Sequence, residues 1–161
     1  MPALLPCSLF EAHLNVSELS RSTAFYSEVL GLELAHLDNE RGTAFFWIGK
    51  RGHSMLGLWA GSSSPNVMQL HLAFRVELED LLRWQQQLTS AGVVPLDFFG
   101  LPAAEPSVIG WMPAASIFFR DPDHHLLELL ALLPNEPCPS AGIVSYSTWM
   151  QQIKTDQSAM R

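Results

Sequence analysis

Two glutamates and two histidines in this chain have the types and spacing to hold a cation or move a proton. Glu128 is the most anomalous, lying in the run LLELLAL over residues 126–132. Such a run reads as a buried strand, where an ionised carboxylate is costly unless something satisfies it. A metal ion or a cationic partner would do so; the plainer alternative is an edge strand on which Glu128 meets water. His71 opens a second strand-like run. Glu11 stands 60 residues earlier, at the matching place of a third, with His13 two residues further on. Taken singly, a histidine in such a place is more often a hydrogen-bonded filler than a ligand, and an acid near a strand start is usually solvated. If the runs bearing Glu11 and His71 pair about a pseudo-twofold axis, these positions approach each other. One imidazole and two carboxylates then make a mixed nitrogen and oxygen set suited to Mn, Fe(II), Ni, Co or Zn, with positions open for a substrate.

The elements that must position these groups are written twice. Residues 9–34, LFEAHLNVSELSRSTAFYSEVLGLEL, and 69–94, QLHLAFRVELEDLLRWQQQLTSAGVV, follow one plan. Each opens with an alternating strand. Phe10, Ala12, Leu14 and Val16 form one face of the first, with Glu11, His13 and Asn15 on the other. In the second, Leu70, Leu72, Phe74 and Val76 oppose Gln69, His71, Ala73 and Arg75. Strict alternation marks a strand packed on one face and wetter on the other. A helix follows each strand, with Ser17 as the expected N-cap of the first and Glu18 in its first turn. Gly31 and Gly92, 61 residues apart, are expected to stop the two helices in the left-handed conformation. Three more strands then fit in each half, at 32–38, 43–49 and 54–60, and at 93–98, 115–120 and 125–132. The Pro- and Gly-rich segment 99–114 between the last two sets reads as a lid or binding loop, and its Trp111 is the residue expected to close over a substrate. Phe46, Trp47 and Trp59 read as core or pocket wall. His53, His124 and His125 are expected at surface turns. The stretch 61–68 is a linker between halves, and from Pro134 a proline-rich tail leads to a possible short helix.

Composition narrows the function classes. With 161 residues, 48% hydrophobic and 16% charged, the chain can pack a core and is not a disordered one. A net charge of −7 with scattered basic residues argues against a nucleic-acid partner. No run is long and apolar enough for a membrane, and the start lacks the basic head of a signal peptide. Cys7 and Cys138 are far apart and read as free thiols in a reducing cytoplasm, with a disulfide or dimer contact as the lesser reading.

Three stretches resemble signatures of the vicinal oxygen chelate superfamily, which includes glyoxalases, bleomycin resistance proteins and extradiol dioxygenases. They are residues 16–31, VSELSRSTAFYSEVLG, residues 71–76, HLAFRV, and residues 119–129, FRDPDHHLLEL. The last resembles the family's F-x-D-P-D-G-x-x-L/I-E. The resemblance spans about residues 8–132 and implies an α+β fold of two βαβββ modules, about 8–60 and 69–132, forming an open, cleft-bearing mixed sheet. On that reading residues 1–133 are one glyoxalase-like domain and 134–161 an extension. It also implies Glu11, His71 and Glu128 as ligands of one divalent metal. Two substrate oxygens would chelate that ion, Glu128 or the carboxylate across from it would move the proton, and His13 would substitute for Glu11 or support it. Trp59 and Phe46 join Trp111 as the expected substrate wall. The implied activity is of lyase or isomerase type, in a cytoplasmic homodimer acting on a small oxygenated molecule. The chain departs from the pattern at Glu11, where His or Gln is usual, and at Gly57, where glyoxalase I carries a fourth, acidic ligand. A metal-free sequestering protein of the bleomycin-resistance kind is the alternative. A fosfomycin-type thiol transferase is a lesser one, because neither its potassium loop nor a basic cluster is evident in the sequence.

Overall fold

The computed structural model describes residues 8–61 and 68–159, so Cys7 and most of the expected linker lie outside the described residues. The chain divides into two compact units, residues 1–70 with 121–124, and residues 71–120 with 125–161. Both follow the expected βαβββ order, giving an α+β protein with open, mixed sheets.

In the first unit, β1 (Glu11–Val16) runs parallel to β4 (Ser54–Ala60), with β3 (Thr43–Ile48) and β2 (Glu33–Asp38) completing the order β1-β4-β3-β2 through antiparallel pairs. Alternation does what the sequence requires. Leu14, Val16, Ala44, Phe46, Leu56 and Leu58 are buried on one face, beneath Phe25, Tyr26 and Leu30 of the helix. That helix is α1 (Leu19–Ala24), continued by a π-helical turn over Phe25–Val29 in which the Leu30 amide donates to the Phe25 carbonyl at 3.3 Å. The N-cap is Glu18, not Ser17. Glu18 is extended at φ −143°, and its carboxylate accepts from the Ser20 and Arg21 amides at 3.1 Å each. The Ser17 amide is drawn instead to Asp123, 2.9 Å away.

In the second unit the order is β5-β8-β7-β6-β9: β5 (His71–Arg75), β8 (Leu126–Leu132), β7 (Ala114–Arg120), β6 (Ser107–Ile109) and β9 (Ile143–Ser145). Again the first strand is parallel to its neighbour and the others are antiparallel. The helix α2 (Leu78–Ser90) packs on β7 and β8 and buries Leu81 and Leu88 with Ile117, Phe119, Leu127 and Leu129 of the sheet. Gly31 and Gly92 stop their helices at φ 66° and 76°, as expected. The helices share a stop but not a start, since Glu77 ahead of α2 makes no side-chain cap bond.

Two expectations change here. The strand at 93–98 shrinks to single bridges at Leu96, to Pro102 and to Phe118. Turn chemistry outcompetes it: the Asp97 carboxylate accepts from the amides of Phe99 and Leu101, both at 2.8 Å, and Gly100 turns back at φ 80°. The third strand is instead β6, inside the segment expected to be loop. The tail holds it there. Beyond pairing with β9, the Gly110 amide donates to Gly142, Cys138 to Gly110 and Tyr146 to Pro106. Glu105 accepts from both the amide and hydroxyl of Ser147 at the start of α3 (Tyr146–Ala159), and Trp149 of that helix is buried.

Candidate metal centre

Each unit presents one imidazole–carboxylate pair on the sheet face away from its helix. In the first unit, His13 Nε2 lies 3.1 Å from Glu11 Oε1. Both project from β1 on the face opposite Leu14 and Val16, because they differ by an even number of residues from each other and an odd number from the core pair. The His13 ring rests on Trp59, with centroids 5.3 Å apart, and meets Phe45 edge-on at 6.0 Å. In the second unit, His71 Nε2 lies 3.1 Å from Glu128 Oε2. Glu128 sits in the middle of β8, opposite Ala73 on one side and Phe118 on the other. Its side chain is 6% exposed while that of His71 is 49% exposed, so the buried anion has a partner open to solvent.

The donors suit a divalent ion. Neighbouring nitrogen and oxygen ligands, each bonded at about 2.1 Å, stand roughly 3 Å apart, and both pairs already have that separation. Glu128 Oε1 is buried without a hydrogen-bond partner. A buried carboxylate oxygen left without a partner is what a bound cation would relieve. Among the described residues no group of three or more His, Cys, Asp or Glu comes together; the donors stand as the two pairs.

Orphaned polar atoms cluster on the same faces. Of five buried side-chain polar atoms without a partner among the described residues, Trp59 Nε1 and Thr43 Oγ1 share the His13 face, and Glu128 Oε1 and Ser116 Oγ share a face in the second unit. The exposed side chains of Arg75 and Arg120 lie on that second face, being paired in register with Leu130 and Leu126.

The other expected site residues separate. Trp59 joins His13, and its ring also carries the Arg41 guanidinium 5.6 Å from its centroid. Phe46 does not face the donors. It is fully buried on the opposite side of the sheet, 6.0 Å from the Tyr26 ring. Its neighbour Phe45 holds the place assigned to it, and counting register from His13 through Gly57 to Phe45 is the signal that finds it. Trp111 is 62% exposed in the turn between β6 and β7. His53 and His124 are exposed as expected, His124 at φ 67°, where the family pattern has glycine. His125 is buried instead, because it leads into the strand rather than the turn.

The turn 121–124 is built into the first unit. Asp121 accepts from the Tyr26 hydroxyl at 2.8 Å, and Asp123 accepts from the Ser17 amide, the Ser22 hydroxyl and Arg21 at 2.9, 3.0 and 3.1 Å. Burial, with Asp121 beside it, pushes the Tyr26 phenol far up, so it stays a neutral donor. Burial alone would raise the Asp123 carboxyl, but the bonds from Ser17 and Ser22 and the Arg21 charge outweigh it and hold it below the usual range. The F-x-D-P-D signature therefore does structural work here, fastening a turn between β7 and β8 to the start of α1.

The family model of the glyoxalase/bleomycin resistance protein/dioxygenase superfamily matches residues 8–129. The metallothiol transferase FosB of Staphylococcus epidermidis is 31% identical over 119 residues, 71% of this chain and 75% of that protein. The fosfomycin resistance protein FosX of Listeria monocytogenes is 29% identical over 123 residues, 73% of this chain and 84% of that one. Among solved structures, an integron cassette protein from the mobile metagenome of a Halifax Harbour sewage outfall aligns with a TM-score of 0.67 at 35% identity, covering 79% of this chain and all of that one (100%). Lactoylglutathione lyase from Agrobacterium tumefaciens aligns at 0.61 and 23% identity, covering 78% and 94%, a likeness of fold.

Proposed function

Because the chain belongs to the glyoxalase/bleomycin resistance protein/dioxygenase superfamily, we propose that it is a divalent-metal enzyme of lyase or isomerase type acting on a small oxygenated substrate. Glu11, His71 and Glu128 would hold the ion, and their donor chemistry suits Ni, Mn, Fe(II), Co or Zn. The observation that carries this reading is Glu128, a buried carboxylate with one oxygen against His71 and the other without a partner. Bound there, a cation would supply Lewis-acid polarisation of a substrate carbonyl. Glu128 would move the proton at the adjacent carbon, as a carboxylate buried in an apolar strand. Trp111 supplies an exposed ring to cover the substrate. Pairing of two copies belongs to the same proposal and is read by light scattering.

The test is elemental analysis of protein purified without chelators, beside His71→Ala and Glu128→Ala. About one equivalent of a transition metal, lost in both variants, with turnover of hemithioacetals or other 2-oxo or 2-hydroxy compounds, is the expected outcome. A wild type that takes up none of Ni, Mn, Fe(II), Co or Zn overturns the reading and leaves a metal-free ligand-binding protein. A second reading, metal-assisted thiol transfer to fosfomycin, is favoured by one curated relative being a metallothiol transferase and the other a fosfomycin resistance protein, and by Arg75 and Arg120 on the Glu128 face. Thiol-dependent loss of the antibiotic would select it over the first.

A further inference from the structure

Laying the two units on each other by register shows an exchange between strands. In the second unit the row across the sheet is Ala73, Glu128, Phe118; in the first it is His13, Gly57, Phe45. The preceding position of each first strand is His71 in one and Glu11 in the other. Where the second unit puts a small residue on the first strand and a long donor on the last, the first unit does the reverse.

Gly57 is shaped for this exchange. Its backbone is not among the left-handed glycines, so no turn or positive φ calls for glycine there. Space does: a Cβ on Gly57 would stand 2.6 Å from Cδ2 and 3.0 Å from Nε2 of His13. The imidazole therefore occupies the volume that the side chain of the last strand fills in the other unit. It ends in the same relation to its partner, 3.1 Å between nitrogen and carboxylate oxygen in each pair. The Trp59 and Phe45 rings fix its plane.

We propose that His13 is the first unit's counterpart of Glu128, a direct metal donor that takes the place of an acid at Gly57. His13 with Glu11 then gives the first unit the same pair of donors, one imidazole and one carboxylate, that His71 and Glu128 give the second. The inference rests on the metal-enzyme reading above.

Metal affinity, measured by titrating the metal-free protein with Co(II) and following the cobalt absorption, tests it without recourse to activity. His13→Ala should weaken binding about 10- to 100-fold, and so should Gly57→Ala, which keeps every donor but drives the ring from its place. The double variant His13→Ala with Gly57→Glu, which returns the donor to the last strand, should regain most of the loss. Circular dichroism of each variant separates lost affinity from lost folding. Wild-type uptake of cobalt with affinity unchanged in both single variants overturns the role of His13 alone. So does a double variant that folds and binds no better than His13→Ala. No cobalt uptake by the wild type overturns the metal-enzyme reading and this inference with it.

Discussion

A single acid in an apolar strand is a legible signal. Glu128 stood out in LLELLAL because nothing around it in sequence solvates it, and the structure leaves one of its oxygens buried and unpartnered. We expect this residue to reduce stability in the metal-free protein. Replacing it by leucine removes a buried carboxylate with one unpartnered oxygen while His71 remains able to meet water, and such replacements are often neutral or stabilising by roughly 1–4 kcal/mol. We expect metal-free Glu128→Leu to melt no lower than its metal-free parent, and several degrees higher if burial is relieved fully. Added Zn, expected to raise the parent's melting temperature, should no longer raise that of the variant. A lower melting temperature for the metal-free variant would show that the carboxylate is fully satisfied by His71. Whether Phe46 is core or pocket wall was not legible, because two adjacent phenylalanines in a strand give no parity of their own. Only the pairing of β3 with β4 shows that Phe45 and not Phe46 shares a face with His13.

Among the elements, the repeat was readable because alternation and a closing glycine are local properties, and both strands and both stops are in place. What no local pattern carried is a bond between distant segments. The Tyr26 hydroxyl reaches Asp121 across 95 positions, and Ser17 reaches Asp123 across 106. Serine at the helix start therefore looked like a cap and became a partner of that turn. Tyr26→Phe removes a buried donor from Asp121 and should cost about 1–3 kcal/mol, read as a fall in the urea midpoint at unchanged slope. Asp123 gives a pH signature. Its carboxyl is held below its ordinary value, so its stabilisation is complete above the unfolded pKa of about 4 and fades as pH falls through the lower folded one. Wild-type stability should therefore decline with acid in that window more steeply than that of Asp123→Asn. Parallel acid profiles for the two would mean that the carboxylate does not stabilise the fold.

At the scale of the molecule, the family and its two-module plan were written in three motifs, while the tail was not. Residues 134–161 show only prolines and a weak amphipathic stretch, yet β9, the bonds donated by the Cys138 and Tyr146 amides and the one accepted by the Gly142 carbonyl complete the edge of the second sheet. A chain ending at Leu133 should lose its β9 partner and present β6 as a bare edge. We expect it to melt lower than the full chain and to aggregate on heating; equal melting temperatures would show the tail to be dispensable. The turn at 121–124 has a different consequence. A protein made of two like modules invites division between them, each piece standing alone. Here the first piece, cut anywhere in 62–67, would lack Asp121 and Asp123, which lie far downstream yet complete its own packing. The first half alone is therefore expected to be an unfinished fragment until the second is supplied, and co-expression rather than dissection is the way to study either.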